Sequence, residues 1–332
     1  MTKKKCFLVI LTALAVLFVS GCKQNVGTPE DNAVVEEPGE GVAETVETDR
    51  LFGFSCPYMK DPFYEVLKES VATSLQEQGD RILVRDAGAD ADLQVSQIQE
   101  MIDEGVEAVF LSPVDPDSIT PALEALREAD IPVVNLEVRV APPSQADAFI
   151  GSDNYNAGKV CGEDLMANRP NGGSLVIVEC SEISSINERI TGFEETIADA
   201  GFEIVERIDT KRDDSFIQGE LTSLLAEGRD IDAIMCGNDR LAVEVLTSLE
   251  TAGRDDILVY SVGGSPDVKS ALADPGSPMT GVGALSPITM GKTAVQTMSA
   301  LLAGSMYETE TFVETFIINR DNVNMYGTDG WQ

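Results

Sequence analysis

Histidine is absent from all 332 residues. Its absence removes the commonest general base, the commonest metal ligand and the side chain that titrates near neutral pH. Ser-His-Asp and Cys-His catalysis are excluded with it. Positive charge is scarce: 23 Lys and Arg stand against 57 Asp and Glu, a formal net charge of -34. Such a surface repels nucleic acid and anionic lipid, so nucleic acid is not an expected partner. No Walker phosphate-binding sequence and no Gly-x-Ser-x-Gly elbow occurs. Gly281-Val282-Gly283 has part of a dinucleotide fingerprint but lacks the third glycine and the strand-helix setting. Apart from Cys6 and Cys22 the cysteines are Cys56, Cys161, Cys180 and Cys236, with no CxxC spacing. Buried free thiols are the expectation, and a disulfide is left open. No enzyme activity, catalytic residue, cofactor or metal is expected.

A membrane-spanning run is also missing. Lys3-Lys4-Lys5 precede an apolar stretch of 15 residues, Cys6 to Ser20, where about 20 are needed to cross a bilayer. Basic, apolar and small residues in that order form a secretion signal. Val19-Ser20-Gly21-Cys22 resembles the bacterial lipobox, which implies cleavage before Cys22 and its lipidation; a plain signal peptide with an incidental cysteine is the alternative. Residues 1–21 are then a lipoprotein signal peptide and 22–49 an acidic tether. The Glu36-Glu37-Pro38-Gly39-Glu40-Gly41 stretch cannot bury a core, so disorder is expected there. The protein is expected to be lipid-anchored at the cell membrane, facing outside the cytoplasm.

The remaining length exceeds what one core usually holds, so two lobes are expected. From Leu51 on, short apolar strand candidates alternate with amphipathic helical stretches, the pattern of parallel strands with helices on both faces. The rhythm restarts near Leu175. Val106-Glu107-Ala108-Val109-Phe110-Leu111 resembles Ile231-Asp232-Ala233-Ile234-Met235-Cys236, and each runs into a polar turn, which suggests duplication. The fold class is α/β: two similar doubly wound parallel-sheet lobes joined by a three-crossing hinge. Residues 50–151 with 286–319 form the first lobe and 152–285 with 320–332 the second. Ligands of such sheets bind beyond the carboxyl ends of the strands. The candidates are therefore Tyr58 to Tyr64, Ser112, Glu137 with Arg139, Ile183 to Arg189, Asn238 with Asp239, and Gly263-Gly264.

Asp61-Pro62-Phe63-Tyr64, Gly151 to Gly158, Ser184 to Phe193 and Gly237-Asn238-Asp239 fall in an order and spacing similar to the type I periplasmic sugar-binding proteins. These are the ribose- and galactose-binding group of ABC importers, and the likeness runs from about Leu51 to Asn319. The resemblance implies a sugar or polyol ligand, a membrane permease as partner, a monomer and binding without chemistry. Asp61 would accept hydroxyl hydrogen bonds, and Phe63 and Tyr64 would offer flat faces to a ring, or else pack the helix start. Arg189 would donate paired bonds, or else pair with an acid, and Asn238 would bind a hydroxyl, cap its helix, or both. Glu137 stands where the family often has Asp, or is a solvated loop acid. Ser112, Arg139 and Gly263 complete the ligand-binding set.

Three departures stand out: Arg139 is displaced by one from the family's Asp-Arg pair, Gly263-Gly264 replaces an Asp, and Ala284 or Leu285 replaces a polar residue. An enclosed hydroxyl without a partner costs about 1–3 kcal/mol. A ligand with fewer hydroxyls than ribose, or a bulkier one using space above Gly263, is the expectation. The calcium loop of galactose-binding relatives is not present. Losing Arg189 or Asn238 is expected to abolish ligand-induced stabilisation while sparing the ligand-free fold. A lipoprotein that presents its closed form to a sensor kinase is the alternative to uptake.

Overall fold

The computed structural model describes residues 49–211 and 213–332. The signal segment, Cys22 and nearly all of the expected tether lie outside the described residues. The described body starts at Asp49, whose amide bonds the Gly79 carbonyl at 3.2 Å and whose carboxylate takes the Arg81 Nε at 2.6 Å.

The first lobe runs β1 (Leu51–Cys56), α1 (Pro62–Gln76), β2 (Arg81–Asp86), α2 (Ala91–Asp103), β3 (Ala108–Leu111), α3 (Thr120–Glu128), β4 (Val133–Leu136) and β5 (Ala148–Ser152). The second runs α4 (Asn154–Asn168), β6 (Gly173–Glu179), α5 (Ser184–Ile197), β7 (Phe202–Asp209), α6 (Ile217–Ala226), β8 (Ala233–Cys236), α7 (Asp239–Ala252), β9 (Leu258–Gly263), α8 (Pro266–Ala273) and β10 (Met279–Ala284). The chain then returns with α9 (Pro287–Leu302) and β11 (Glu310–Val313), and ends with β12 (Phe316–Asn319) and α10 (Val323–Tyr326). The sheets have six strands each, in the orders β11-β5-β4-β3-β1-β2 and β12-β10-β9-β8-β6-β7. Both faces of each sheet are buried, which the period of two along the strands accomplishes. Phe52, Phe54, Ala108, Phe110, Leu175, Ile177 and Met235 enter one continuous core, while Val109 and Leu111 enter a second and Val176, Val178 and Cys236 a third.

The third crossing lies between β11 and β12, not at the expected lobe boundary between residues 319 and 320. Phe316–Asn319 pairs antiparallel with β10, so these residues belong to the second lobe rather than the first. The first and third crossings are tied together: Thr315 Oγ1 donates to the Asp153 carbonyl at 3.1 Å, and Asn156 Nδ2 donates to Thr315 Oγ1 at 2.9 Å.

Glycine 283 explains the partial fingerprint of β10. A Cβ there would lie 2.3 Å from the Ala157 carbonyl oxygen, so Gly281-Val282-Gly283 is where α4 rests on the sheet rather than a nucleotide loop. All four cysteines of the described body are buried free thiols. Burial pushes the Cys56 thiol up to about 12. Among the described residues no helix is long and apolar enough to cross a membrane.

Candidate functional site

The carboxyl ends of β1, β3 and β4 in one lobe and of β6, β8 and β9 in the other converge on a cavity of about 570 Å³, within the range of small-molecule sites. Asp61, Phe63, Tyr64, Glu137, Arg189, Asn238 and Gly263 line it. Ser112 and Arg139 do not.

Asp61 caps α1, its Oδ1 accepting the Phe63 amide at 3.0 Å. Burial pushes its carboxyl above the ordinary range, only partly offset by that hydrogen bond and by the Arg240 and Arg189 charges. Phe63 and Tyr64 meet edge to face at 5.4 Å. The Tyr64 hydroxyl shares a 3.1 Å hydrogen bond with Ser112 Oγ. Ser112, 1 % exposed, thus stands behind Tyr64 and orients it rather than facing a ligand. A buried amide below this layer had no sequence signal: Gln94 Nε2 donates to Ser55 Oγ and the Ser112 carbonyl, and its Oε1 takes the Val114 amide.

Glu137 occupies a tight turn at φ 55°, with the Val138 amide 2.6 Å from the Leu136 carbonyl. A non-glycine residue held there stores on the order of 1–3 kcal/mol. Asn135 fixes the turn, its Nδ2 donating to the Leu111 and Val138 carbonyls and its Oδ1 accepting the Val140 amide. The carboxylate is not solvated: Oε2 accepts the Ser152 amide at 3.0 Å and its hydroxyl at 2.9 Å, and Oε1 accepts Arg189 Nη2 at 3.0 Å. Both charged side chains are buried, 7 % and 3 % exposed. The pair joins the first lobe to the second.

Arg189 comes to this point because α4 and α5 touch at their backbones. A Cβ on Gly158 would lie 1.8 Å from the Arg189 carbonyl oxygen, and one on Gly192 would lie 2.1 Å from that of Tyr155. Its Nε donates to Asn154 Oδ1 at 2.7 Å and its Nη1 to the Gly237 carbonyl at 3.2 Å. Three of the five guanidinium N–H groups are therefore engaged within the protein, which leaves two. Arg189 is thus paired with an acid, but as a buried residue across the lobes and not on a helix surface.

Arg139 corrects the expectation most plainly. Its guanidinium sits 3.9 Å above the Phe149 ring and 5.3 Å from Phe312, and pairs with Glu310, all on the first lobe. Beyond the tight turn at Glu137 the chain carries the Arg139 side chain onto these rings, and Val138 lines the cavity instead.

In the second lobe Asn238 caps α7, its Oδ1 accepting the Leu241 amide at 2.9 Å. The side-chain NH2 has no acceptor among the described residues and so is available to the cavity. Asp239 beside it is the organiser. Its Oδ1 accepts Ser261 Oγ at 2.7 Å, and its Oδ2 accepts the Gly264 and Ser265 amides at 2.7 and 2.6 Å. A Cβ on Gly263 would lie 2.5 Å from this carboxylate. The space above Gly263 is therefore filled by Asp239 rather than open to a bulky ligand. Sequence reading named Asp239 only as a neighbour of Asn238; the paired glycines were the signal that a neighbouring group fills their side-chain space.

Trp331 was missed altogether. It lines the cavity and meets Phe63 at 6.0 Å with the rings 75° apart. Nearby, Lys269 is fully buried and its Nζ has no hydrogen-bond partner among the described residues. Burial draws its ammonium below the ordinary range, against the opposing pull of Asp329 and Asp239. Among the described residues no three Cys, Asp or Glu side chains gather as metal ligands.

Residues 52–306 match the family model described as periplasmic binding protein domain. The ribose import binding protein RbsB of Bacillus subtilis is 26% identical over 253 residues, 76% of this chain and 81% of that protein. A solved ABC transporter solute binding protein from Mycobacterium smegmatis with bound glycerol is 26% identical at TM-score 0.77, covering 85% of this chain and 99% of that one. Another from Bacillus halodurans with bound myo-inositol shares the fold at TM-score 0.77 and 22% identity, covering 84% of this chain and 97% of that one. These relatives are substrate-binding proteins, not enzymes. With two like parallel-sheet lobes and a cavity at their facing strand ends, the chain belongs to the periplasmic binding protein domain family.

Proposed function

We propose that this protein captures a neutral sugar or polyol between its lobes outside the cytoplasm and delivers it to the permease of an ABC importer. The observation that carries this reading is the composition of the cavity. It combines two adjacent aromatic rings, an acceptor at Asp61 and a donor at Asn238, while its one deeply buried cation, Arg189, is already neutralised by Glu137. Such a site suits hydroxyls and C–H faces, and the other cations of its lining, Lys60 and Arg240, are exposed rather than buried in it. The ribose, glycerol and myo-inositol named for the relatives support the same ligand class.

Binding proceeds without chemistry. Ligand contacts from both lobes favour a closed form, reached by rotation about the three crossings. Micromolar affinity corresponds to about -8 kcal/mol, within reach of several buried hydrogen bonds and ring contact. The protein acts as a monomer, held at the membrane by lipid on Cys22. Thermal-shift screening of the purified protein against pentoses, hexoses, polyols and cyclitols tests the ligand class, and a flat profile across the panel removes it. Mass spectrometry for a diacylglyceryl group on Cys22 tests the anchor. Ligand-dependent transport by a neighbouring permease separates uptake from signalling to a sensor kinase.

A further inference from the structure

We propose that Trp331 is a ligand-contacting wall of the cleft, and that the segment Gly327–Gln332 is held in the fold to place it there. This rests on the sugar-binding reading and adds to it a specificity-determining residue from outside the strand-end loops. The strand-end turn after β4 gives the cavity Glu137. At the matching end of β9 the pair Gly263-Gly264 carries no side chain, and only the small or acidic Ser265 and Asp267 follow it into the lining. Trp331, arriving from beyond α10, supplies the second lobe with a ring at the same cavity.

Its placement is built rather than incidental. Gly264 has φ 100°, and a Cβ there would lie 3.2 Å from Gln332 Oε1, so the bare turn and the incoming segment fit together. The Gln332 amide is buried with neither its Oε1 nor its Nε2 hydrogen-bonded among the described residues, so it is shape that seats the segment there, and Asp329 lies close enough to Lys269 to act on its charge. Trp331 then reaches Phe63 on the opposite lobe with the rings nearly perpendicular, so neither ring is stacked flat on the other. The ring face left over presents a flat apolar surface, which matches the C–H side of a pyranose or cyclitol.

Trp331 is the one tryptophan in the chain, so intrinsic emission reports on this position alone. The test titrates D-ribose, D-allose, L-arabinose and myo-inositol into the wild type, Trp331→Phe and Trp331→Ala, following thermal midpoint in all three and emission in the wild type. The expected result is one or more probes that raise the wild-type midpoint and change its emission saturably with the same Kd. Trp331→Ala then binds that probe about tenfold more weakly, while Trp331→Phe stays within about threefold of wild type. A probe that raises the midpoint of wild type and Trp331→Ala equally, with no emission change, overturns the role of Trp331 and leaves sugar binding standing. A panel in which nothing raises the wild-type midpoint overturns the binding reading and this inference with it.

Discussion

The two lobes share a strand order but not a site chemistry. Written by position, β2-β1-β3-β4-β5-β11 corresponds to β7-β6-β8-β9-β10-β12, and only the last pair differs in direction: β11 runs parallel to β5, β12 antiparallel to β10. At the strand ends the first lobe contributes Asp61, Phe63, Tyr64 and Glu137, and the second Arg189, Asn238, Asp239 and a bare glycine pair. A repeated scaffold fixes where side chains can converge, while loop residues decide what converges. The first lobe brings Asp61, Glu137 and two rings, the second the Arg189 and Asn238 donors with Asp239 and the Trp331 ring, and neither half carries the full set alone.

The cross-lobe ion pair breaks that comparison hardest. Arg189→Ala leaves Glu137 buried and unpaired in a strained turn, and chemical denaturation of the ligand-free protein should show a loss of about 3–5 kcal/mol. That outcome replaces the sequence-based expectation that the ligand-free fold would be spared. Combining Arg189→Met with Glu137→Leu should recover most of the loss, because two apolar groups leave no charge stranded. Strictly additive losses in the double variant would show that the pair does not couple the lobes.

The next test sharpens the contrast between the equivalent turns after β4 and β9. Gly263→Ala forces a Cβ against the Asp239 carboxylate, which holds Ser261, Gly264 and Ser265. A loss of about 1–3 kcal/mol is expected for each bond displaced without replacement. Circular-dichroism melting reads the effect, and an unchanged midpoint would mean that the turn relaxes freely.

The lobes were legible in sequence where buried strands alternate cleanly, as in β1, β3, β6 and β8, because each face must find a core. The strands β5, β10, β11 and β12 were not. Met279–Ala284 carries two glycines for close packing, and Glu310–Val313 is a short edge strand with half its residues exposed. The C-terminal boundary shifted for the same reason, since nothing local in Phe316–Asn319 announces its pairing with β10. Site positions just after strands were legible from topology. The roles of Ser112, Arg139 and Trp331 were not, because support behind a ring, a one-residue register and a contact from Trp331 to Phe63 are long-range facts.

Asn238 separates scaffold from recognition within one residue. Asn238→Asp keeps the Oδ1 that caps α7 and removes the NH2 that faces the cavity. Its ligand-free midpoint should match wild type while sugar affinity falls, whereas Asn238→Ala should also lose about 1 kcal/mol of stability. Equal sugar affinity in wild type and the Asp variant would remove Asn238 from the recognition set.

The smallest effect expected, and the one that tests the acidic side alone, concerns pH. Burial raises the Asp61 carboxyl above its ordinary value of 3.8, with the Asp239 charge adding to the shift and Arg240 and Arg189 opposing it. A carboxyl with a raised folded value contributes stability that is complete below the unfolded value and is lost as pH rises through the folded one. The ionised form is the stronger acceptor of ligand hydroxyls, so affinity should move the opposite way and fall as pH drops through the same interval. Stability of the empty protein and affinity for sugar therefore diverge across that window. Asp61→Asn keeps the cap on Phe63 and carries no titrating proton, so the dependence of affinity should flatten and that of stability should lose only the Asp61 contribution. Calorimetric titrations from neutral pH downward, beside melting curves in the same buffers, check this; a slope in affinity that survives in the Asn variant assigns the titration to another group.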